Sequence, residues 1–127
     1  MENLQTIDSI ESAIKKHPLV RHCILVGQDE DYYAALILPD KQQLAQTMRE
    51  DSEAPPANLN SYAGMNRIDV RMYYCDVLEQ VNAQLGHKRI ERFVLVNLDE
   101  DKSRQEICET NAAIIESFYQ EYIAGVG

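Results

Sequence analysis

HPLVRHCILVGQDEDYYAALILP, residues His17 to Pro39, is the stretch on which the fold turns. Within it, Val20 to Val26 and Tyr32 to Leu38 are two runs dense in β-branched, aliphatic and aromatic residues, the chemistry of strands. Gly27 and the polar patch Gln28-Asp29-Glu30-Asp31 separate them, and Pro39 closes the second run. Two such runs around a short polar loop read as an antiparallel hairpin, with a loop slightly longer than the tightest turns. Both runs are nearly continuous in apolar residues, so both are expected near the centre of a small sheet covered by helices.

Working outward, the upstream residues carry a helical period. Leu4, Ile7, Ile10 and Ile14 recur at three- and four-residue steps, which predicts a helix over Leu4 to Lys16. Thr6 or Asp8 is the expected cap, and Glu11 falls in the first turn, where the helix dipole favours an anion. Lys15, Lys16 and His17 lie at the other end, and Pro18 blocks continuation, so His17 reads as a helix-stop residue. Downstream, Asp40 caps a short helix to Arg49, with Leu44 and Met48 on one face. Residues 50–64 read as a flexible loop around Pro55-Pro56. Asn66 to Leu85 is predicted to be a long helix, with Ile68, Met72, Cys75, Leu78, Val81 and Leu85 on its stripe and Gly86 at its end. A basic link, His87 to Glu91, carries Lys88 and Arg89. Arg92 to Leu98 is the expected third strand. Ser103 to Ala124 reads as a closing helix with a Ser103/Glu106 capping box and the stripe Ile107, Asn111, Ile114, Phe118 and Tyr122. The fold expected is α+β: one domain over residues 1–127, with a small mixed sheet of about three strands (the hairpin plus one later strand) flanked by helices.

Bulk properties narrow the function. A chain of 127 residues can bury a core without disulfides or metal. Its formal net charge of −9 repels nucleic acid and anionic membrane surfaces, so neither is an expected partner. No apolar run approaches membrane-spanning length, and Met1-Glu2 opens no basic, apolar leader. Cys23, Cys75 and Cys108 are far apart and odd in number, which points to a reducing compartment and a cytoplasmic protein. The Cys and His residues lack metal-ligand spacing, the 5 glycines form no phosphate loop, and no nucleophile elbow marks a hydrolase. Asp29, Glu30 and Asp31 read as a solvated turn, because no further acidic ligands follow at calcium-loop spacing. Cys108 reads as a small apolar residue rather than a nucleophile.

Several short matches in a fixed order resemble one family. They are Ile10-Glu11, His17-Pro18, Val20, Val26-Gly27, Ala34 to Pro39, and the later segment from Val81-Asn82 through Lys88-Arg89-Ile90-Glu91-Arg92-Phe93-Val94-Leu95-Val96. Together they are similar to the small C-terminal domain of adenylate-forming enzymes, the acyl-CoA synthetases and their relatives, and to long-chain acyl-CoA synthetases especially. The resemblance implies that backbone around Gly27 lies near the pantetheine arm of CoA or of a carrier protein, which a residue without a side chain permits. On the residues alone, Gly27 reads as a turn glycine. Lys88, Arg89 and Arg92 read as solvated linker charge or as contacts for an anionic ligand such as CoA.

The same resemblance implies a lysine near the C-terminus that reaches the acyl and phosphate oxygens during adenylation, where positive charge offsets developing negative charge. The corresponding region here is Glu106 to Ala113, EICETNAA; no lysine follows Lys102, and Arg104 is the last basic residue. The expectation is a free-standing lid-like domain without that lysine and without the large ATP-binding domain. Its expected role is a non-catalytic accessory or binding module. The alternative is the lid subunit of a split acyl-CoA ligase that completes thioester formation in trans. No resident cofactor is expected beyond a weak CoA or phosphopantetheine contact. Partners left open are an adenylation-domain protein, an acyl carrier protein and a second copy of the chain.

Overall fold

The computed structural model describes residues 6–51, 56–86 and 88–120. In chain order the elements are α1 (Ile7–Lys15), β1 (Val20–Val26), β2 (Tyr33–Pro39), α2 (Lys41–Glu50), α3 (Tyr62–Met65), α4 (Ile68–Asn82), β3 (Ile90–Leu95), α5 (Arg104–Thr110) and α6 (Ala112–Tyr119). The strands form one mixed sheet in the order β1-β2-β3. β1 and β2 pair antiparallel, with Leu25 opposite Ala35, and β2 and β3 pair parallel, with Leu36 opposite Val94. The α+β architecture with a hairpin and one later strand is therefore as expected.

Strand side chains alternate between two covered faces, which explains the unbroken apolar runs. Cys23, Leu25, Ala35, Ile37 and Leu95 join Ile10 and Ile14 of α1, Leu44 and Met48 of α2 and Tyr74, Val77 and Val81 of α4 in one buried cluster. Ile24, Ala34, Leu36, Leu38 and Val94 face the other way, against Ile107 of α5 and Phe118 of α6.

Only β2 is central, because β1 is an edge strand. It is buried nonetheless, since side chains cover its outer rim. Glu11 of α1 accepts the Leu25 N–H at 2.6 Å, and Arg104 of α5 donates Nη1 to the Leu25 carbonyl at 3.0 Å. Glu11 and Arg104 also pair directly, so an ion pair clasps the strand's edge between helices on opposite faces. Glu11 is thus buried and acts on the sheet rather than on the helix dipole. The β3 edge is finished in the same manner. The Asn82 carboxamide both accepts from and donates to Ile90 (2.8 and 3.0 Å), and that of Asn66 does so with Leu95 (2.9 and 2.7 Å). Each amide side chain mimics a neighbouring strand, which blunts an edge otherwise open to strand pairing.

Other boundaries shift for identifiable reasons. Thr6, not Asp8, caps α1, in a reciprocal box with Ser9. His17 Nδ1 accepts the Leu19 N–H at 3.2 Å, in keeping with its helix-stop role. Within the stretch expected to be loop, Ser61 caps a helical turn at Tyr62–Met65, while residues 52–55 lie outside the described residues. α4 buries Val70, Tyr74, Val77, Leu78, Val81 and Asn82. Ile68 and Met72 are 78% and 62% exposed, and Cys75 is exposed too, so the stripe is rotated from the expected one. Tyr74 decides the rotation: its hydroxyl donates to the Leu19 carbonyl at 2.8 Å inside the core. α4 ends at Asn82, ahead of Gly86, where the Asn82 side chain turns to β3. β3 begins two residues earlier than expected, at Ile90, and ends at Leu95 rather than Leu98. The closing helix is two helices, broken at Asn111, whose Nδ2 donates back to the Ile107 carbonyl at 2.9 Å. The Ser103/Glu106 capping box is present, Ile107 and Phe118 are buried, Ile114 is half-buried, and Tyr122 lies outside the described residues.

Candidate functional site

The loop joining β1 to β2 gathers most of the expected site residues. Gly27 has φ +106°, a conformation that L side chains rarely adopt. A Cβ there would collide with the Tyr119 hydroxyl and lie 2.5 Å from the Tyr32 carbonyl oxygen. The glycine is therefore required twice, by backbone angle and by the packing of α6 onto the loop.

Tyr32 and Tyr119 wall this site. Their rings stack with centroids 5.1 Å apart. The Tyr119 hydroxyl faces the Val26 and Tyr32 carbonyls at 3.1 and 3.0 Å, and the Tyr32 hydroxyl donates to the Phe118 carbonyl at 2.6 Å. Burial pushes the Tyr119 hydroxyl up to about 12, with the negative charge of Glu30 adding to the effect, so it remains protonated at neutral pH.

The basic residues divide. Lys88 reaches across to the Gln28 carbonyl at 2.8 Å, with its ammonium 4.5 Å from the Tyr33 ring centre. Arg92 lies 5.8 Å from the Tyr32 ring centre and is exposed. Arg89 turns away, to Glu79 of α4 at 3.8 Å. Gly27, Lys88, Arg89 and Arg92 thus share one end of the sheet, where the Arg89 carbonyl accepts the Tyr33 N–H at 2.8 Å, but the Arg89 side chain points away from the loop; His87 lies outside the described residues. Beside this end, an open cleft of about 380 Å³ is lined by Thr6, Ile7, Asp8, Gln28, Tyr33 and Arg104. Sequence reasoning passed over Tyr32, Tyr33 and Tyr119. The tyrosine pair directly after the acidic turn was the available signal for two of them, whereas nothing local marked Tyr119.

Of the last two cations, Arg104 is engaged in the fold and Lys102 sits at the surface. Arg104 is occupied by Glu11 and the Leu25 carbonyl, and Lys102 pairs with Glu106 at 3.8 Å. Glu106, Glu109 and Glu116 are exposed on α5 and α6. Burial raises the Cys108 thiol, which weakens it as a nucleophile. Among the described residues no group of three His, Cys, Asp or Glu is placed to hold a metal ion, and no helix is long and apolar enough to cross a membrane.

A hairpin extended by one parallel strand, helices on both faces and a glycine-bearing loop at one end define a small α+β domain. The chain belongs to the AMP-binding enzyme C-terminal domain family, whose family model matches residues 7–125. Three solved structures share the fold. The adenylation domain of the carboxylate reductase from Mycobacterium chelonae superimposes with TM-score 0.63 and 17% identity, covering 91% of this chain and 18% of that one. The A domain of carboxylic acid reductase from Segniliparus rugosus, in complex with AMP and a co-purified carboxylic acid, gives 0.64 and 15%, covering 91% and 18%. The A-PCP didomain of carboxylic acid reductase from the same organism, in complex with AMP, gives 0.59 and 19%, covering 90% and 16%. The chain therefore spans less than a fifth of each of these proteins. No curated protein matches it.

Proposed function

We propose that this chain is a non-catalytic binding module that works with a separate adenylation domain or an acyl carrier protein. The observation that carries the reading is the missing lysine, with Arg104, the last basic residue, engaged in the fold. The region where the resemblance calls for a lysine that meets acyl and phosphate oxygens, Glu106 to Ala113, holds none, and of the last cations before it Arg104 is turned into the edge of β1 and Lys102 lies 3.8 Å from Glu106. Exposed glutamates follow, and they would repel a triphosphate. The role left to such a domain is contact with the thiol arm at the Gly27 loop. Lys88 and Arg92 supply local positive charge there for a CoA phosphate or an acidic carrier, in a chain of net charge −9.

Two measurements test this. Pyrophosphate release by the pure chain, with a panel of fatty and aryl acids, is expected to stay at background; robust acid-dependent release refutes the non-catalytic reading. Amide shifts followed during titration with CoA, then with phosphopantetheinylated carrier protein, are expected to cluster on Val26 to Gln28 and Lys88 to Arg92. Lys88→Gln is expected to weaken them without unfolding the domain, since the Lys88 ammonium meets a loop carbonyl and a ring face rather than the core. Amides that stay unmoved at millimolar CoA and excess carrier remove the thiol-arm role. Thioester formation that appears only when a separate large domain is added would favour the split-ligase lid instead.

A further inference from the structure

The hairpin loop presents three backbone carbonyls that side chains occupy from outside the strands. Lys88 serves the Gln28 carbonyl, and the Tyr119 hydroxyl lies against both the Val26 carbonyl, which also faces Ala34 across the hairpin, and the Tyr32 carbonyl. A phenol has one proton, so it satisfies one of those two acceptors at a time. Both contacts are long for an O–H donor, at 3.1 and 3.0 Å. The hydroxyl also fills the space that Gly27 leaves open, where a Cβ would stand. Tyr119 is held there by the loop, through the Tyr32 ring stack and the Tyr32 hydroxyl on the Phe118 carbonyl, and by packing against the cluster beneath α6. The residue sits in the last turn of an eight-residue helix and is only half-buried.

We infer that the Tyr119 hydroxyl is a built-in occupant of the Gly27 loop, holding the place of an amide N–H donor of a pantetheine-type arm and yielding it when the arm binds. This rests on the thiol-arm reading above. A pantetheine arm is thin and carries two amide N–H groups, so it suits a loop rich in acceptors with no side chain at Gly27. Binding then exchanges one shared phenol proton for a dedicated amide donor.

The test uses the whole chain, labelled for amide detection and titrated with pantetheine, CoA, and apo and holo carrier protein. Tyr119→Phe keeps the ring stack and removes the hydroxyl, so pantetheine and CoA are expected to bind about tenfold more tightly than to the unaltered chain, the worth of one neutral hydrogen bond. Shifts should centre on Gly27 and Tyr33. Tyr32→Phe loosens the Phe118 anchor and leaves both acceptors in place, so it is expected to tighten binding in the same direction, by about threefold on the same scale. It also provides a second reading should the Tyr119 variant lose its fold. Holo but not apo carrier should show the effect if the arm is the ligand. Equal affinities in the unaltered and variant chains overturn the displacement while leaving the thiol-arm reading intact. Weaker binding by Tyr119→Phe overturns it also, since the hydroxyl would then be a ligand contact. Absence of binding in every chain at millimolar pantetheine removes both.

Discussion

Removing the Glu11 carboxylate is expected to open the edge of β1. Glu11→Ala takes the acceptor from the Leu25 N–H, a bond of 2.6 Å in a buried setting. An orphaned buried donor costs about 1–3 kcal/mol. The same change takes from Arg104 its buried carboxylate partner and leaves it the Leu25 carbonyl and Asp8, the latter at 3.8 Å. Breaking a fully buried pair costs about 3–5 kcal/mol and an exposed one about 0–1 kcal/mol. With Glu11 8% exposed and Arg104 39% exposed, the pair lies between those limits. Water relieves much of the arginine's cost, so about 1–2 kcal/mol is attributed to it. Together the loss is about 2–5 kcal/mol, a sizeable part of the 5–15 kcal/mol typical of a domain. Glu11→Gln keeps an oxygen for Leu25 and loses only the charge, so it should cost about half as much. Urea melts of both variants, of Arg104→Met and of the double variant measure the sizes and the coupling. Sedimentation at rising concentration should show Glu11→Ala self-associating through the bared strand. If Glu11→Ala costs under about 0.5 kcal/mol, or equals Glu11→Gln, the clasp contributes nothing to the edge.

Three further outcomes are expected. Gly27→Ala should cost about 1–3 kcal/mol in the same melts, from the left-handed backbone alone, and replacing Tyr119 by Phe should restore part of what the hydroxyl collision adds. Asn82→Ala should cost about 2–4 kcal/mol by leaving both backbone groups of Ile90 without their partner, and Asn82→Asp, which keeps the acceptor, should cost less. Stability should fall at both ends of the pH range. His22 is held below its ordinary 6.5, chiefly by burial and next by Lys15, so the unfolded chain takes up its proton first and stability declines as pH drops below about 6.5. Tyr119 is raised from 10.0 to about 12, so the unfolded chain ionises first and stability declines as pH rises from 10 towards 12. Thermal melts across pH, with phenolate absorbance to follow the tyrosines, check both limbs, and a flat profile between pH 5 and 7 would contradict the assignment to His22.

The sequence alone determined the local elements whose physics is short-range. The hairpin follows from two apolar runs around Gly27 and an acidic turn. The caps at Asp40 and Ser103 follow from side chains that reach amides three residues on. The order of matches from Ile10-Glu11 to Val96 also carried the family, because order and spacing survive where identity falls to 15–19%. What periodicity could not decide was which of two apolar faces of α4 turns inward. Ile68, Met72 and Cys75 fit the helical step as well as Val70, Tyr74 and Val77 do, and only the core position of the Tyr74 hydroxyl separates them. Nor does any local pattern show that Glu11 and Arg104, 93 positions apart, meet across the edge of a strand. Tyr119 is joined to Gly27 in the same way: the glycine's reason lies partly in its own turn and partly in a helix formed at the far end of the chain. Contacts of that kind are set by how the sheet and its two helical layers close on one another, and tertiary structure alone decides them.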